Sequence, residues 1–323
     1  MITTISSSEI KSLITMPEAI ELMKPAFRQL SDKTAVVPIR INMDMKKVNA
    51  QSLIMPVYLP DSDFYAVKIV SLNYDNPKKK LPFIHAILHL FDAKTGQPLA
   101  MMDAEELTAI RTGASSGLAT DYLAMKNASV LALFGAGVQG RKQIDAILAV
   151  RPITTVFIFD IDLEKATQYA KRVQSETGVQ SIASSDQRLL AKADIICTAT
   201  TSSRAVFTDR YLKKSVHING IGAYHPGLIE IPAETISRAN VFVDQRESCL
   251  QEAGDLIYAR NNSLFNNTDV IAELGEIESL SDYKKFRNQL TIFKSVGNAV
   301  QDLALAAKIY GNYLSKRGKG TQR

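Results

Sequence analysis

Thiols, imidazoles and long apolar runs are all in short supply in this chain of 323 residues. Its two cysteines, Cys197 and Cys249, lie far apart with no CxxC pair, which fits a reducing compartment in which both are simply buried. Of the four histidines, His85 and His89 are four apart, but their local pattern is that of a strand. A period of two puts both on one face without the geometry of helical metal ligands. With His217 opening a buried strand and His225 beside a proline, no cluster supports a metal site. No apolar stretch approaches the roughly 20 residues a membrane helix needs. The start, Met1-Ile2-Thr3-Thr4, lacks the basic-then-apolar layout of a signal peptide. The expectation is a cytoplasmic protein with no membrane partner. Charge of one sign is modest too, at net +5. The compact basic runs, Lys78-Lys79-Lys80 and the tail after Ser315, read as a solvated loop and a frayed terminus. Without a dense Lys/Arg block interleaved with aromatics, no nucleic-acid partner is expected.

What is present is an apolar content of 46%, enough for a full core, in a chain whose length predicts two domains. Helical and strand-like patterns alternate, so the class is α/β. Residues 8–30 read as helix with a short break, the apolar face continuing from Ile20 after Met16-Pro17-Glu18. Strands are expected at 36–41, 52–58, 64–72, 83–92 and 97–103, the last two joined by the turn Asp92-Ala93-Lys94-Thr95-Gly96. A helix follows from Ala104 to Leu123. From Ser129 the order becomes strand, helix, strand, helix, strand, as a doubly wound parallel sheet requires. Its strands are read at 129–134, 156–160, 194–199, 216–220 and 241–244, and its first helix at 141–150. Residues 261–267 read as an exposed loop, and a last helix at 296–314 is expected to return to the first domain. The fold is thus predicted as a Rossmann domain over 121–297 beside a mixed α+β domain over 1–120, joined by 298–323.

The sharpest local motif is Gly135-Ala136-Gly137-Val138-Gln139-Gly140, placed between a strand and a helix. A bare GxGxxG is weak, but a second strand ending in the acid Asp160 follows at the interval expected between a phosphate loop and a ribose-binding carboxylate. Gly135 permits a tight turn, Gly137 lets a pyrophosphate approach the backbone, and Gly140 lets helix and strand pack closely. The helix N-terminus offers free N–H groups and partial positive charge to the phosphates. Asp160 accepts ribose hydroxyls and repels a 2′-phosphate, and Asp162 adds a second acid. The expected cofactor is therefore NAD(H) in preference to NADP(H).

Three cations stand out in the first domain. Lys68 sits mid-strand in Ala66-Val67-Lys68-Ile69-Val70, Arg111 lies within a helical pattern, and Arg40 follows Pro38-Ile39. A cation inside an apolar pattern is costly unless paired. Singly, each could be a surface residue or a structural ion pair; together they indicate a clamp for a carboxylate. These segments resemble the ornithine cyclodeaminase/mu-crystallin family. The likeness rests on Pro38-Ile39-Arg40, Met55-Pro56, Val67-Lys68-Ile69-Val70, Leu90-Phe91-Asp92 with Thr95-Gly96, the stretch from Leu107 to Ala114, the loop Gly135 to Gly140, and Ile292-Phe293-Lys294-Ser295-Val296-Gly297.

The resemblance implies that Arg40, Lys68 and Arg111 hold a substrate carboxylate, with Lys68 placed to exchange protons with the reacting nitrogen. It implies dinucleotide contacts at Thr112, Val138, Gln139, Asp160 and Ser295, and a sheet domain that pairs with its twin to form a homodimer. Where cyclodeaminases carry an aspartate for a side-chain amine, this chain has Tyr224, in Ile221-Gly222-Ala223-Tyr224-His225-Pro226-Gly227. That departure resembles the imine-reductase branch. The expected activity is reduction of a small imino acid by hydride from NAD(P)H. The imino acid is of the Δ1-pyrroline-2-carboxylate or cyclic-ketimine type, or the enzyme is alanine dehydrogenase-like. Ornithine cyclodeaminase and a mu-crystallin-like binding protein are the alternatives. His225 is a candidate second proton donor, and Met55, Phe83 and Tyr224 are candidate specificity residues.

Overall fold

The computed structural model describes residues 2–320. Met1 and 321–323, the end of the returning C-terminal segment, lie outside the described residues. The chain divides into two compact units. One ends at Arg111 and resumes at Asn298; the other is Thr112–Gly297.

The first unit begins with β1 (Thr3–Ile5), α1 (Ser7–Leu13) and α2 (Met16–Ser31). Two S/T-x-x-E sequences fix these helices. Ser6 and Glu9, then Thr15 and Glu18, form capping boxes in which side chain and backbone satisfy one another reciprocally. Such a cap stabilises a helix start by about 1 kcal/mol. Next come β2 (Ile41–Met45), β3 (Ala50–Tyr58), β4 (Phe64–Asn73), β5 (Ile84–Asp92), β6 (Pro98–Asp103) and the start of α3 (Ala104–Leu123), which passes into the second unit after Arg111. The sheet order is β1-β6-β5-β4-β3-β2, antiparallel except for the β1–β6 pair. The strand expected at 36–41 is not formed. Val36 makes only an isolated bridge to Tyr58, and pairing resumes at Ile41. Pro38 lacks an N–H for the ladder, which accounts for the break.

Register explains the odd lysine. Met55, Lys68, Leu88 and Met102 are direct cross-strand partners, so they share one face, and all four are buried. Their sequence neighbours Ile54, Ile69 and Ile87 pair in a row with Ile41 on the opposite face, where Ile41 and Ile87 are 57% and 40% exposed.

The second unit carries β7 (Val130–Phe134), α4 (Val138–Val150), β8 (Thr155–Phe159), α5 (Leu163–Thr177), β9 (Gln180–Ala183), β10 (Ile195–Thr198), β11 (Val216–Gly220), α6 (Ala233–Arg238), β12 (Asn240–Val243), α7 (Arg246–Glu252), α8 (Gly254–Asn261), β13 (Val270–Glu273) and β14 (Leu290–Lys294). Its eight strands run in the order β13-β12-β14-β11-β10-β7-β8-β9, and all pairings are parallel. Apolar side chains cover both faces in two clusters, as a buried parallel sheet demands. The strand order reverses between β7 and β10, the topological switch point at which open α/β sheets bind ligands. In the region read as an exposed loop, Phe265 is an exception, with 2% of its surface exposed. The last helix, α9 (Ala299–Gly320), starts three residues later than expected. The N–H groups of Val296 and Gly297 are instead donated to the buried carboxylate of Asp244, at 3.0 and 2.8 Å.

Candidate active site

In the second unit, the loop after β7 behaves as its glycines require. Gly135 has φ of +103°, and a Cβ there would sit 2.5 Å from the Ala199 carbonyl oxygen. A Cβ on Gly140 would strike the Gly135 carbonyl oxygen at 2.2 Å, whereas one on Gly137 would meet nothing within 4 Å. Gly135 and Gly140 are thus fixed by contacts of the protein itself, and Gly137 borders open space. Helix α4 begins at Val138, not at the expected Arg141, so the N–H groups of Val138, Gln139 and Gly140 form its donor-rich first turn. The Val138 side chain is 69% exposed.

A cleft of about 840 Å³ opens here, lined by Gly135, Ala136 and Gly137 from one loop, Asp160 and Ile161 from the next, Lys165 in the first turn of α5, and Ala199 to Ser202 after β10. Asp160 accepts from the backbone N–H of Ala136 at 2.8 Å and of Asp162 at 3.1 Å, with Lys165 Nζ at 3.3 Å. Burial pushes this carboxyl up, but those three donors outweigh it and hold it below the usual aspartate value. It is therefore an anion at neutral pH. Thr112 and Ser295 are buried and do not line this cleft; the Ser295 hydroxyl donates to Asp244 at 2.7 Å.

A second carboxylate, absent from the sequence reading, organises the loops at the same end of this sheet. Glu230 is fully buried and accepts from the Thr200 N–H (2.6 Å) and hydroxyl (2.8 Å), and from the Gly222 (2.6 Å) and Ala223 (3.0 Å) N–H groups. It ties the loop after β10 to the loop after β11. Nearby, Asp255 accepts from the Glu230 and Ile231 N–H groups and pairs with buried Lys294 at 2.9 Å.

In the first unit, Lys68 and Arg111 do converge. Both are withdrawn from water, with 2% and 6% exposure. They share one partner, Asp302 in the first turn of α9. Lys68 Nζ lies 2.7 Å from Asp302 Oδ2 and Arg111 Nε 3.1 Å from Asp302 Oδ1. Arg111 also donates to Gln301 Oε1 at 2.7 Å. Arg40 is half-buried and close enough to act on Lys68 through its charge. Burial lowers the Lys68 ammonium most, Asp302 opposes it, and Arg111 and Arg40 lower it further, to about 8 against an ordinary 10.5. Asp302 has no place in the sequence reading; the fold sets it apart by burying it among Val300, Leu303, Leu305 and Ala306.

An anionic clamp partner, a lysine poised near neutrality and a phosphate-type loop are the parts of a dehydrogenase acting on an amino or imino acid. A family model described as the ornithine cyclodeaminase/mu-crystallin family matches residues 2–317. The chain belongs to this family. Over 98% of both chains it is 36% identical to a Δ1-pyrroline-2-carboxylate reductase of Bacillus cereus. Among solved structures it is similar to the Δ1-pyrroline-2-carboxylate reductase of Thermococcus litoralis in complex with NADH and L-proline, with 35% identity, 98% of each chain covered and a TM-score of 0.90. It is also similar to an archaeal alanine dehydrogenase dimer with bound NAD, with 30% identity, 98% and 97% coverage and a TM-score of 0.89. Within this ornithine cyclodeaminase/mu-crystallin chain, Tyr224 is 38% exposed. His225 lies in an exposed turn and accepts from the Gly227 N–H on Nδ1 at 3.1 Å. Met55 is the cross-strand partner of Lys68, whereas Phe83 packs against Tyr74 at 5.3 Å.

Proposed function

We propose that this protein is a nicotinamide-dependent reductase of small cyclic imino acids of the Δ1-pyrroline-2-carboxylate type. The observation that carries the reading is the buried Lys68–Asp302–Arg111 constellation. Its net charge is positive, so it favours a substrate carboxylate, and Arg111 with Arg40 would fix that carboxylate's position. The residues of the second unit fit a dinucleotide: open space at Gly137, donors at the start of α4, and the Asp160 carboxylate facing the same cleft. Bound there, reduced nicotinamide would supply the hydride, and its two electrons, that the imine carbon accepts. Lys68 Nζ gives the substrate nitrogen its proton and regains one from solvent. A group titrating near 8 suits this task, because efficient general acids lie close to the working pH. Tyr224 in place of a carboxylate supports imine reduction over cyclodeamination, since nothing at that position orients a second amine.

The Asp160 carboxylate supports NADH in preference to NADPH, and parallel titrations with both cofactors test that. The apolar face of the first unit's sheet supports a homodimer. The decisive experiment follows NADH oxidation with Δ1-pyrroline-2-carboxylate, a panel of cyclic ketimines, and pyruvate plus ammonia. Lys68→Ala should lower turnover by about 10²- to 10⁴-fold while NADH binding stays near wild type. Unchanged turnover would remove Lys68 from the chemistry. Proline and ammonia released from ornithine without net NADH would replace reduction by cyclodeamination.

A further inference from the structure

Lys68 has two guanidinium neighbours, Arg111 and Arg40, and Asp302 pairs with Lys68 and Arg111 from a position with no solvent exposure. For carboxylate binding alone this anion is a disadvantage. It competes with the ligand for Arg111, and its own charge repels a second carboxylate. Pairing two buried cations gives it one role, and its oxygen 2.7 Å from Lys68 Nζ gives it a second. We propose that Asp302 is the positioning residue for proton transfer: it keeps Lys68 in the charged, proton-donating form and fixes it beside Arg111. The inference rests on the reading above of Lys68 as the group that exchanges a proton with the substrate nitrogen.

The charged groups acting on Lys68 come from three places: Asp302 on α9, Arg111 on α3, and Arg40 just ahead of β2. Burial and both guanidinium groups disfavour the ammonium, and among the described residues Asp302 opposes them, with a carboxylate oxygen 2.7 Å from Nζ. In reduction an N–H bond of Lys68 breaks as one forms on the substrate nitrogen; in oxidation of the amino acid the same proton returns. The carboxylate therefore sets where along the pH scale each direction runs.

Asp302→Asn nearly preserves shape and leaves an acceptor for Arg111 while removing the charge. The alkaline limb of imine reduction should then move to lower pH by about one unit or more. The acid limb of proline oxidation should move the same way, so that oxidation near neutrality gains relative to reduction. A purely structural defect would depress both directions without moving either limb. An Nζ nuclear magnetic resonance titration of Lys68, assigned with Lys68→Arg in the cofactor-free protein, should show the same downward shift independently of turnover. Asp302→Glu keeps the charge and should retain the wild-type limbs even where its rate falls; this arm stands if Asp302→Asn does not fold. Limbs unmoved in Asp302→Asn, or displaced in Asp302→Glu, would overturn the proposal. A wild-type protein inert in both directions would instead overturn the reading of the site itself.

Discussion

Gly137 and Gly140 look alike in the sequence, yet a single added carbon should separate them. At Gly140 that carbon meets the Gly135 carbonyl oxygen at 2.2 Å, inside the protein's own turn. At Gly137 it enters open space, and its backbone φ of −115° is one any residue adopts. Gly140→Ala should therefore lower the melting temperature and weaken NADH binding together. Gly137→Ala should leave the melting temperature near wild type and weaken NADH binding alone, by roughly tenfold, about 1.4 kcal/mol of lost approach. Calorimetry and fluorescence titration of the two variants check this, and a stability loss at Gly137 would refute it. Residues of this kind were legible because each deviates from its surroundings. The glycines punctuate an apolar strand and a helix, and Lys68 interrupts a run of Ala, Val and Ile. Asp302 and Glu230 were not read, because a lone acid in a helix or loop is ordinary until the fold buries it. Their identity depends on which strands and loops meet, and that information is long-range.

At the level of elements, strongly patterned segments were legible to within about two residues: β3 to β6, α3, β7, β8 and β11. The strands β1, β2, β9, β13 and β14 were not. Gln180–Ala183 reads QSIA, with no alternation long enough to distinguish a sheet edge from a loop. β11 also carries a consequence for stability. His217 is 2% exposed and held between Thr291 Oγ1 at 2.8 Å and Asn219 Oδ1 at 3.2 Å. Burial, the largest influence, pushes its pKa down from 6.5 to about 3, so the folded protein keeps it neutral. An unfolded chain binds a proton there between these values and the folded one does not. The stability contributed by the neutral ring is complete above about 6.5 and is lost as the pH falls toward 3. From pH 7 to pH 5 this single group should cost about 2 kcal/mol. Denaturant melts at both values, compared with His217→Asn, measure it. A variant that loses as much stability on acidification as the wild type would place the sensitivity elsewhere.

For the whole molecule, the telling feature is the contrast between the two faces of the first unit's sheet. Lys68 and its cross-strand partners lie on the buried face, under α9 and its Asp302. The opposite face presents the row Ile41, Ile54, Ile69 and Ile87, flanked by Met43, which is 47% exposed. A row of β-branched residues left in contact with water is what an association surface requires, and a stable pairing buries roughly 800 Å² on each partner. The sheet's period of two makes the test clean, because substitutions on this face point away from the lysine. Ile41→Glu combined with Ile87→Glu would bring carboxylates into any apolar contact there, where an unpaired charge costs several kcal/mol. In sedimentation equilibrium the wild type should report twice the chain mass of 35.5 kDa and the double variant a single chain. Helical and strand content should remain intact, because both positions already face solvent in the isolated chain. A monomeric wild type, or a double variant that still pairs, would mean that these isoleucines do not form the interface.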